Sequence, residues 1–318
     1  MTILSKELFD RSGNNEGISG VVLIKGYTTR TTKNGKPYIE GKLSAGKEIP
    51  FKVWNDSGAF KPLTDFDFSN TIAFINGSVN DYQGTRSIIV TSVDAVEGYD
   101  PIDFMEKRYN KEAYQQALIS LCKQKVSEKG MTLLNKILFE NAEVWNAFSN
   151  EFAASSHHDN CPSGLLVHTY KATCLMAWAL QTYAPLSVIN GKEAVTDTTD
   201  LYYIGVVLHD IGKLKEMHYG VYQPLSAVTH RILGLDYLYA VKEAIIAAYG
   251  EKWFRDLQSI IVEHHGEFGD PCRTLVAFVV HQVDLVDSRL TNAAQAIIDG
   301  QANGVTDKIY MDGSYLAL

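Results

Sequence analysis

Hydrophobic and polar residues alternate with a period of two between residues 17 and 98, which is typical of β-strands with one buried face. The segment holds five such runs, and Asn34-Gly35, Ala45-Gly46-Lys47 and Gln83-Gly84 separate neighbouring runs with residues that favour tight hairpin turns. Five short strands without a long helix favour a small closed β-barrel. We therefore predict a barrel over residues 17–98, preceded by an N-terminal extension over residues 1–16.

The pattern changes after Gly98. From Pro101 onward, apolar residues recur at spacings of three and four, as in the set Leu133, Leu134, Ile137 and Leu138. This period predicts helices with one buried face. The change of period and Pro101 place a domain boundary at residues 98–103. We predict an all-α domain over residues 99–300 and a C-terminal tail over residues 301–318, so that the chain combines a β domain with an α domain.

The composition is that of a globular protein, since 46% of the 318 residues are hydrophobic and 21% are charged. The formal net charge of −8 argues against a surface that coats nucleic acid everywhere, although it allows a local basic groove. We expect no signal peptide, because acidic residues occur early, and no membrane span, because no apolar run approaches roughly 18 residues. The four cysteines are scattered, as is typical of reduced thiols in a cytoplasmic protein.

Histidines and aspartates interrupt apolar helices at several separated places. Burying an imidazole or a carboxylate is unfavourable unless the group finds a partner. A single such histidine is more often an ordinary core residue, but a set drawn from five helices can meet around metal ions inside one bundle. We predict as metal ligands His168, His209, Asp210, His230, His264, His265 and Asp284.

Imidazole and carboxylate ligands without a thiolate favour Mn, Fe, Co, Ni, Zn or Mg over a structural zinc–cysteine site. Six or seven donors are too many for one tetrahedral ion, so we predict two divalent ions bridged by Asp210, an arrangement suited to phosphoryl displacement. The predicted ligands of the first ion are His168, His209, Asp210 and Asp284; those of the second are Asp210, His230 and His264, with His265 as an alternative or additional donor.

Two cationic residues follow predicted ligands directly. Lys213 lies one turn after Asp210, and Arg231 follows His230. A lysine past a helix end is usually a solvated surface residue, but here Lys213 can meet a substrate phosphate as a point charge, and Arg231 can offset phosphate charge as well. We predict Asp210 and Lys213 as catalytic residues, and Lys213 and Arg231 as substrate-binding residues.

Basic residues outnumber acidic ones between Lys25 and Lys52, and aromatic residues alternate with them. Small barrels hold single strands of nucleic acid by stacking bases on aromatic rings, while cations follow the backbone. We predict that this surface binds a single strand through Lys33, Lys36, Tyr38 and Trp54. The alternative is that the rings belong to the barrel core and the lysines to a solvated face.

The order of the predicted ligands, with the motifs "VVLHDIGKL", "THRILG" and "EHHGEFGDP", resembles the HD-domain metallophosphohydrolase superfamily. A barrel placed before these motifs is similar, more specifically, to the YhaM-type 3′–5′ exoribonucleases over roughly residues 18–295. The resemblance implies an OB-fold barrel followed by an HD-domain helical bundle, with Mn²⁺ as the metal. His157 and His158 match a histidine pair of that family, and we expect His158 at the substrate entrance.

The function implied by this resemblance is a metal-dependent exonuclease that shortens single-stranded RNA, or also single-stranded DNA, from the 3′ end to nucleoside 5′-monophosphates. Three alternatives stay open from the residues: a phosphohydrolase of free or cyclic nucleotides, a di-iron oxygenase with the same ligand order, and a non-catalytic single-strand-binding protein. The expected partner is single-stranded RNA or DNA and not a membrane, and a homo-oligomer is compatible with the sequence.

Overall fold

The computed structural model describes residues 2–155, 159–183, 186, 188–189, 192–193, 195–223, 227–302, 304, 307–311 and 314–317. The chain divides into two compact units, residues 1–107 and residues 108–318. We call them the barrel unit and the helical unit, and describe each by itself.

The barrel unit is built on five strands that close into a barrel. The strands are β1 (Gly17–Thr31), β2 (Pro37–Ser44), β3 (Glu48–Trp54), β4 (Thr71–Tyr82) and β5 (Thr85–Ala95). Their order is β1-β2-β3-β5-β4, with β4 paired to β1, and only the pair of β3 with β5 is parallel. A closed five-stranded barrel of this order is an OB-fold, so the predicted barrel and its fold are confirmed.

Strand β1 has 15 residues, which is long enough for it to pair with two neighbours. Its first part, residues 17–24, pairs with β4, and the part from Leu23 onward pairs with β2. The register is irregular between Ile24 and Gly26. An irregularity of this kind increases the local twist, which helps one strand to serve both sides of a closed sheet.

The predicted turns between strands are confirmed. Gly35, Gly46 and Gly84 have φ values of 77°, 82° and 79°, in the left-handed region that suits glycine. Gln83, which precedes Gly84, also has a positive φ of 53°, as a two-residue hairpin between β4 and β5 requires.

Buried apolar side chains from all five strands fill the barrel interior, among them Val22, Ile39 and Ile88. The residues before β1 add to this core, because Leu4 and Phe9 are buried and belong to the same cluster. Phe9 lies in the short helix α1 (Lys6–Arg11), and a second short helix, α2 (Phe60–Asp65), joins β3 to β4.

The helical unit packs its helices around one continuous apolar core. The helices are α3 (Lys111–Lys125), α4 (Glu128–Leu134), α5 (Ala142–Asn150), α6 (Gly164–Thr182), α7 (Thr196–Leu208), α8 (Lys213–Glu216), α9 (His230–Tyr239), α10 (Lys242–Tyr249), α11 (Glu251–Glu263) and α12 (Leu275–Ala302). Every residue of α7 from Asp200 to Leu208 is buried, so this helix runs through the centre of the unit. The predicted helical fold of this part of the chain is therefore confirmed in its main architecture.

Short strand pairs interrupt the helical pattern, and the apolar period of the sequence does not predict them. They are β6 (Val188–Ile189) with β7 (Lys192–Glu193), β8 (Met217–His218) with β9 (Val221–Tyr222), and β10 (Lys308–Met311) with β11 (Ser314–Ala317). None of the helices in the described part of the chain is both long enough and apolar enough to cross a membrane.

Candidate metal centre

The seven predicted metal ligands lie together inside the helical unit. Each comes from a helix or from the residues at its end: His168 from α6, His209 and Asp210 from the end of α7, His230 from the start of α9, His264 and His265 from the end of α11, and Asp284 from α12. Because α7 is buried on all sides, the two residues that follow it enter the core and not the solvent.

Two of the imidazoles are oriented by carbonyl oxygens of their own helices. Nδ1 of His209 donates to the carbonyl oxygen of Val206 at 2.7 Å, and Nδ1 of His264 donates to that of Ile261 at 2.9 Å. A carbonyl oxygen only accepts, so the proton is on Nδ1 and Nε2 of the neutral ring keeps its lone pair. Both rings thus present an unprotonated nitrogen to the centre.

Two further imidazoles are oriented by carboxylates. Nδ1 of His168 donates to Asp287 Oδ2 at 2.7 Å, and Nδ1 of His230 donates to Glu216 Oε2 at 2.8 Å. Metal-binding histidines usually donate their second N–H to a carboxylate or a carbonyl in this way, which fixes the ring and raises its basicity. The arrangement is therefore typical of ligands.

The cluster has two halves that meet at Asp210. Its Oδ2 lies 3.3 Å from His209 Nε2 and 3.7 Å from His168 Nε2. Its Oδ1 lies 3.4 Å from His230 Nε2 and 3.5 Å from His264 Nε2. One carboxylate therefore faces two different groups of imidazoles, as a bridging ligand would.

Asp284 and His265 extend the two halves. Asp284 Oδ1 is 3.2 Å from His168 Nε2 and 3.8 Å from His209 Nε2, in the first half. His265 Nε2 is 3.3 Å from His230 Nε2, in the second half. His264 and His265 thus both face the second half. The structure therefore favours His265 as a donor in addition to His264, and not as an alternative to it.

The donor atoms fit a divalent cation. Among the described residues, Asp210 Oδ1 and His264 Nε2 are buried without a hydrogen-bond partner, although they lie only 3.5 Å apart. Two acceptor atoms at this distance repel each other unless a proton or a cation lies between them. Imidazole nitrogen and carboxylate oxygen are donors that first-row divalent metals prefer.

The charge states of the cluster suit ligation. Burial and neighbouring imidazoles lower the pKa of His264 to about 4 and that of His265 to about 3, so both rings are neutral at neutral pH. Burial alone would raise the pKa of Asp210 and Asp284, but the charges and hydrogen bonds around them hold the pKa of each carboxyl below its usual range. The centre therefore offers the neutral imidazoles of His264 and His265 beside ionised carboxylates.

His168 occupies the position most favourable to positive charge. Burial lowers its pKa, but hydrogen bonds to Asp284 and Asp287 outweigh burial and raise the pKa to about 10. Carboxylates at both ring nitrogens stabilise a cation at this point, whether a proton or a metal ion carries the charge.

The two predicted phosphate-binding cations are each held by a carboxylate. Lys213 Nζ donates to Asp210 Oδ2 and to the carbonyl oxygen of Ala153, both at 2.6 Å, and its residue is only 9% exposed. Arg231 donates to Asp270 Oδ2 at 2.6 Å. Lys213 thus compensates the buried charge of Asp210, whereas Arg231 fastens the segment that follows α11.

Three residues outside the predicted set support the ligands: Asp287 and Glu216 orient imidazoles, and His281 Nδ1 donates to the carbonyl oxygen of His264 at 2.8 Å. Asp287 lies one helical turn beyond Asp284, and this spacing is the only sequence signal for it. Glu216 and His281 carry no such signal, because their roles depend on how the helices pack.

A cleft of about 540 Å³ opens beside the cluster. Asp210, Lys213, His265 and Asp284 contribute to its lining. Its volume is within the range of about 300–1,000 Å³ that is usual for small-molecule sites. The predicted entrance residue His158, with His157, lies outside the described residues.

On the barrel unit, Tyr38 and Trp54 are neighbours across the pair of strands β2 and β3, with ring centroids 5.5 Å apart. Trp54 is 39% exposed, so its ring is not part of the barrel core. Lys33 and Lys36 are exposed between β1 and β2. Trp54 and both lysines are thus accessible on this unit, and Tyr38 is half-buried.

No protein-family model matches the sequence. The chain is similar to proteins named 3′-5′ exoribonuclease YhaM along nearly its whole length. It is 26% identical to the protein from Oceanobacillus iheyensis over 308 residues, covering 93% of this chain and 91% of the relative. It is 24% identical to the protein from Bacillus subtilis over 315 residues, covering 93% and 92%. The resemblance recognised from the motif order is confirmed.

The similarity to each of two solved structures covers 28% of this chain. The mitochondrial single-stranded DNA-binding protein Rim1 from S. cerevisiae is 15% identical with a TM-score of 0.25, covering 28% of this chain and 100% of that protein. A Replication Protein A heterotrimer bound to ssDNA is 16% identical with a TM-score of 0.22, covering 28% of this chain and 64% of that one. These values carry no conclusion, and the strand order alone identifies the fold of the barrel.

Proposed function

We propose that this chain, which resembles the YhaM exoribonucleases over nearly its full length, is a metal-dependent 3′–5′ exoribonuclease acting on single-stranded RNA. The observation that carries the proposal is the position of Asp210, whose two oxygens face two separate groups of imidazoles beside an open cleft. A paired-cation site of this kind suits the hydrolysis of a phosphodiester.

The proposed metal is Mn²⁺, in two positions. The first would be held by His168, His209, Asp210 and Asp284, and the second by Asp210, His230, His264 and His265. When bound, divalent ions lower the pKa of water and stabilise charge on the phosphate oxygens. By its motif order, the ligand set resembles that of the HD type.

The residues of the chain position these charges. Lys213 holds Oδ2 of Asp210 at 2.6 Å, which fixes the carboxylate plane and directs Oδ1 to His230 and His264. Asp210 is thereby kept ionised and oriented. Lys213 also lines the cleft, where its charge can offset that of a substrate phosphate.

The proposed reaction adds water to the last phosphodiester of the strand. The bond between phosphorus and the 3′ oxygen of the preceding nucleotide breaks, and the terminal nucleotide leaves as a 5′-monophosphate. The barrel unit would hold the strand through the rings of Tyr38 and Trp54, while Lys33 and Lys36 contact its backbone.

A digestion experiment tests this proposal. The full chain is incubated with Mn²⁺ and a single-stranded RNA labelled at its 5′ end. We expect a ladder of labelled products that shortens from the 3′ end, which a chelator abolishes. Asp210→Asn should abolish it as well, whereas the matched change Asp236→Asn, at an exposed carboxylate paired with Lys215, should not.

The same assay, together with a measurement of bound iron, separates the alternatives. Consumption of free or cyclic nucleotides without a ladder would identify a nucleotide phosphohydrolase instead. Bound iron with a mixed-valence signal and no hydrolysis would identify an oxygenase, and full activity of Asp210→Asn would leave the centre with a structural role only.

The cytoplasmic location, a homo-oligomer and any action on DNA stay predictions.

A further inference from the structure

The cleft beside the metal centre continues well beyond the ligands. Besides the four site residues, it is lined by Phe268, Leu285, Ser288 and Asn292. Ser288 and Asn292 follow the ligand Asp284 at intervals of four residues, so all three lie on the same face of α12. With a rise of about 1.5 Å per residue, each step along this face is about 6 Å.

Phe268 also lines the cleft, on a segment that is fixed to the metal centre. It ends the short 3₁₀ turn Gly266–Phe268, and its N–H donates to the carbonyl oxygen of the ligand His265 at 3.0 Å. The side chain is nevertheless 66% exposed, so its ring is accessible to a ligand in the cleft.

Two contacts hold the segment around Phe268 in place. His281, from α12, packs against Gly266, where a Cβ atom would lie 2.6 Å from its ring, and it also donates to the carbonyl oxygen of His264. Arg231 bonds to Asp270 at the other end. The segment that carries Phe268 is therefore held at both ends, which fixes the position of Phe268 beside the cleft.

The polar residues that line the cleft can form hydrogen bonds with the hydroxyl groups of a ligand. Ser288 Oγ donates its proton to the carbonyl oxygen of Leu285 at 3.0 Å, so its lone pairs stay available to accept. The amide of Asn292, one turn further, can both donate and accept. Sugar hydroxyls are groups that match these partners.

We propose that this part of the cleft is a binding site for the terminal nucleoside of the strand, with its base against Phe268 and Leu285 and its sugar hydroxyls at Ser288 and Asn292. The inference rests on the proposed function, since it assigns the phosphate of the same nucleotide to the metal centre. The volume of about 540 Å³ is sufficient for one nucleotide.

Calorimetry with reaction products tests the site without relying on hydrolysis. Adenosine 5′-monophosphate and ribose 5-phosphate, which lacks the base, are titrated into the full chain with Mn²⁺ present. For Phe268→Ala we expect about tenfold weaker binding of the nucleotide, because base stacking is lost, and unchanged binding of the sugar phosphate. For Ser288→Ala with Asn292→Ala we expect weaker binding of both compounds.

Phe278→Ala is the matched control, because Phe278 is 50% exposed on α12 and does not line the cleft. The proposal is overturned if Phe268→Ala leaves nucleotide binding unchanged, or if it weakens both compounds equally. If the expected pattern is found but the chain does not shorten RNA, the nucleoside site stands and the exoribonuclease proposal fails. If RNA is shortened but Phe268→Ala has no effect on nucleotide binding, only the nucleoside site fails.

Discussion

At the scale of single residues, the candidate centre depends on the group that accepts the hydrogen bond from Nδ1 of each imidazole. His209 and His264 use carbonyl oxygens, whereas His168 and His230 use the carboxylates of Asp287 and Glu216. Each half of the cluster therefore contains one ring supported by a carboxylate. A supported ring is both better oriented and more basic, which strengthens its bond to a metal.

Asp287→Asn should weaken Mn²⁺ binding by about 10–100-fold, because the substitution removes the charge that supports His168 but keeps the side-chain shape. Calorimetric titration of the full chain with Mn²⁺ measures the effect. Asp256→Asn, a similar change next to Lys252 on the surface of α11, serves as control. Equal affinity in the two variants would show that Asp287 does not support a ligand.

Lys213→Met should lower the free energy of unfolding of the metal-free chain by about 3–5 kcal/mol, because it leaves the buried carboxylate of Asp210 without its cation. Added Mn²⁺ should recover part of the loss, since it supplies positive charge to the same carboxylate. Urea unfolding with and without Mn²⁺ measures both effects. An unchanged free energy of unfolding would contradict the assigned role of Lys213.

At the scale of elements, five of the seven residues of the centre lie where a helix begins or ends. The end of α7, the start of α9 and the end of α11 all supply ligands, so short connections between helices must pass very close to one another. Gly212 shows how close: a Cβ atom on this residue would lie 1.9 Å from the carbonyl oxygen of His230. The segment after Asp210 thus needs glycine to bring α9 and its ligand into place.

Gly212→Ala should destabilise the chain by about 1–3 kcal/mol and weaken Mn²⁺ binding, because backbone atoms of α9 must move away. Unfolding in urea and calorimetric titration measure the two effects. Gly17→Ala is the control, since its Cβ would meet nothing within 4 Å. A variant at Gly212 with normal metal affinity would show that this close approach does not position His230.

Some residues of the site and the turns can be predicted from sequence patterns, and others cannot. His209 and Asp210 are predictable because they end an apolar run, in which an imidazole and a carboxylate cannot be buried without partners. Gly35 and Gly84 are predictable because the pairs Asn34-Gly35 and Gln83-Gly84 favour tight turns. Glu216 is not predictable, because a glutamate in a short polar helix resembles any solvated residue until α9 packs beside it.

The barrel has a similar limit. The alternation of residues predicts five strands, but the position of β5 between β3 and β4 depends on pairing between distant segments. Helix α1 is missed as well, since its six residues are too few for a helical period and depend on the burial of Phe9 in the barrel core.

At the scale of the whole molecule, the proposed function divides between the two units. The barrel unit carries the exposed rings and lysines, and the helical unit carries the centre and the cleft. Substitutions in the first should therefore change the affinity for the strand, and substitutions in the second the chemical step or the metal.

Trp54→Ala should raise the KM for single-stranded RNA, by about tenfold if one base stacks on the ring, and should leave kcat and Mn²⁺ affinity unchanged. Steady-state kinetics on oligonucleotides of increasing length measure the effect. Tyr82→Ala, at another exposed aromatic residue of the barrel unit, should leave KM unchanged. A fall in kcat alone for Trp54→Ala would contradict strand binding by this surface.

The central claim is that the buried histidines and aspartates hold a pair of divalent cations. Anomalous scattering from crystals of the full chain grown with Mn²⁺ tests it most directly. We predict two peaks about 3.5–4 Å apart, both in contact with Asp210, one beside His168 and Asp284 and the other beside His230 and His264. Density without a peak among these side chains, or Mn²⁺ bound only elsewhere, would contradict the account.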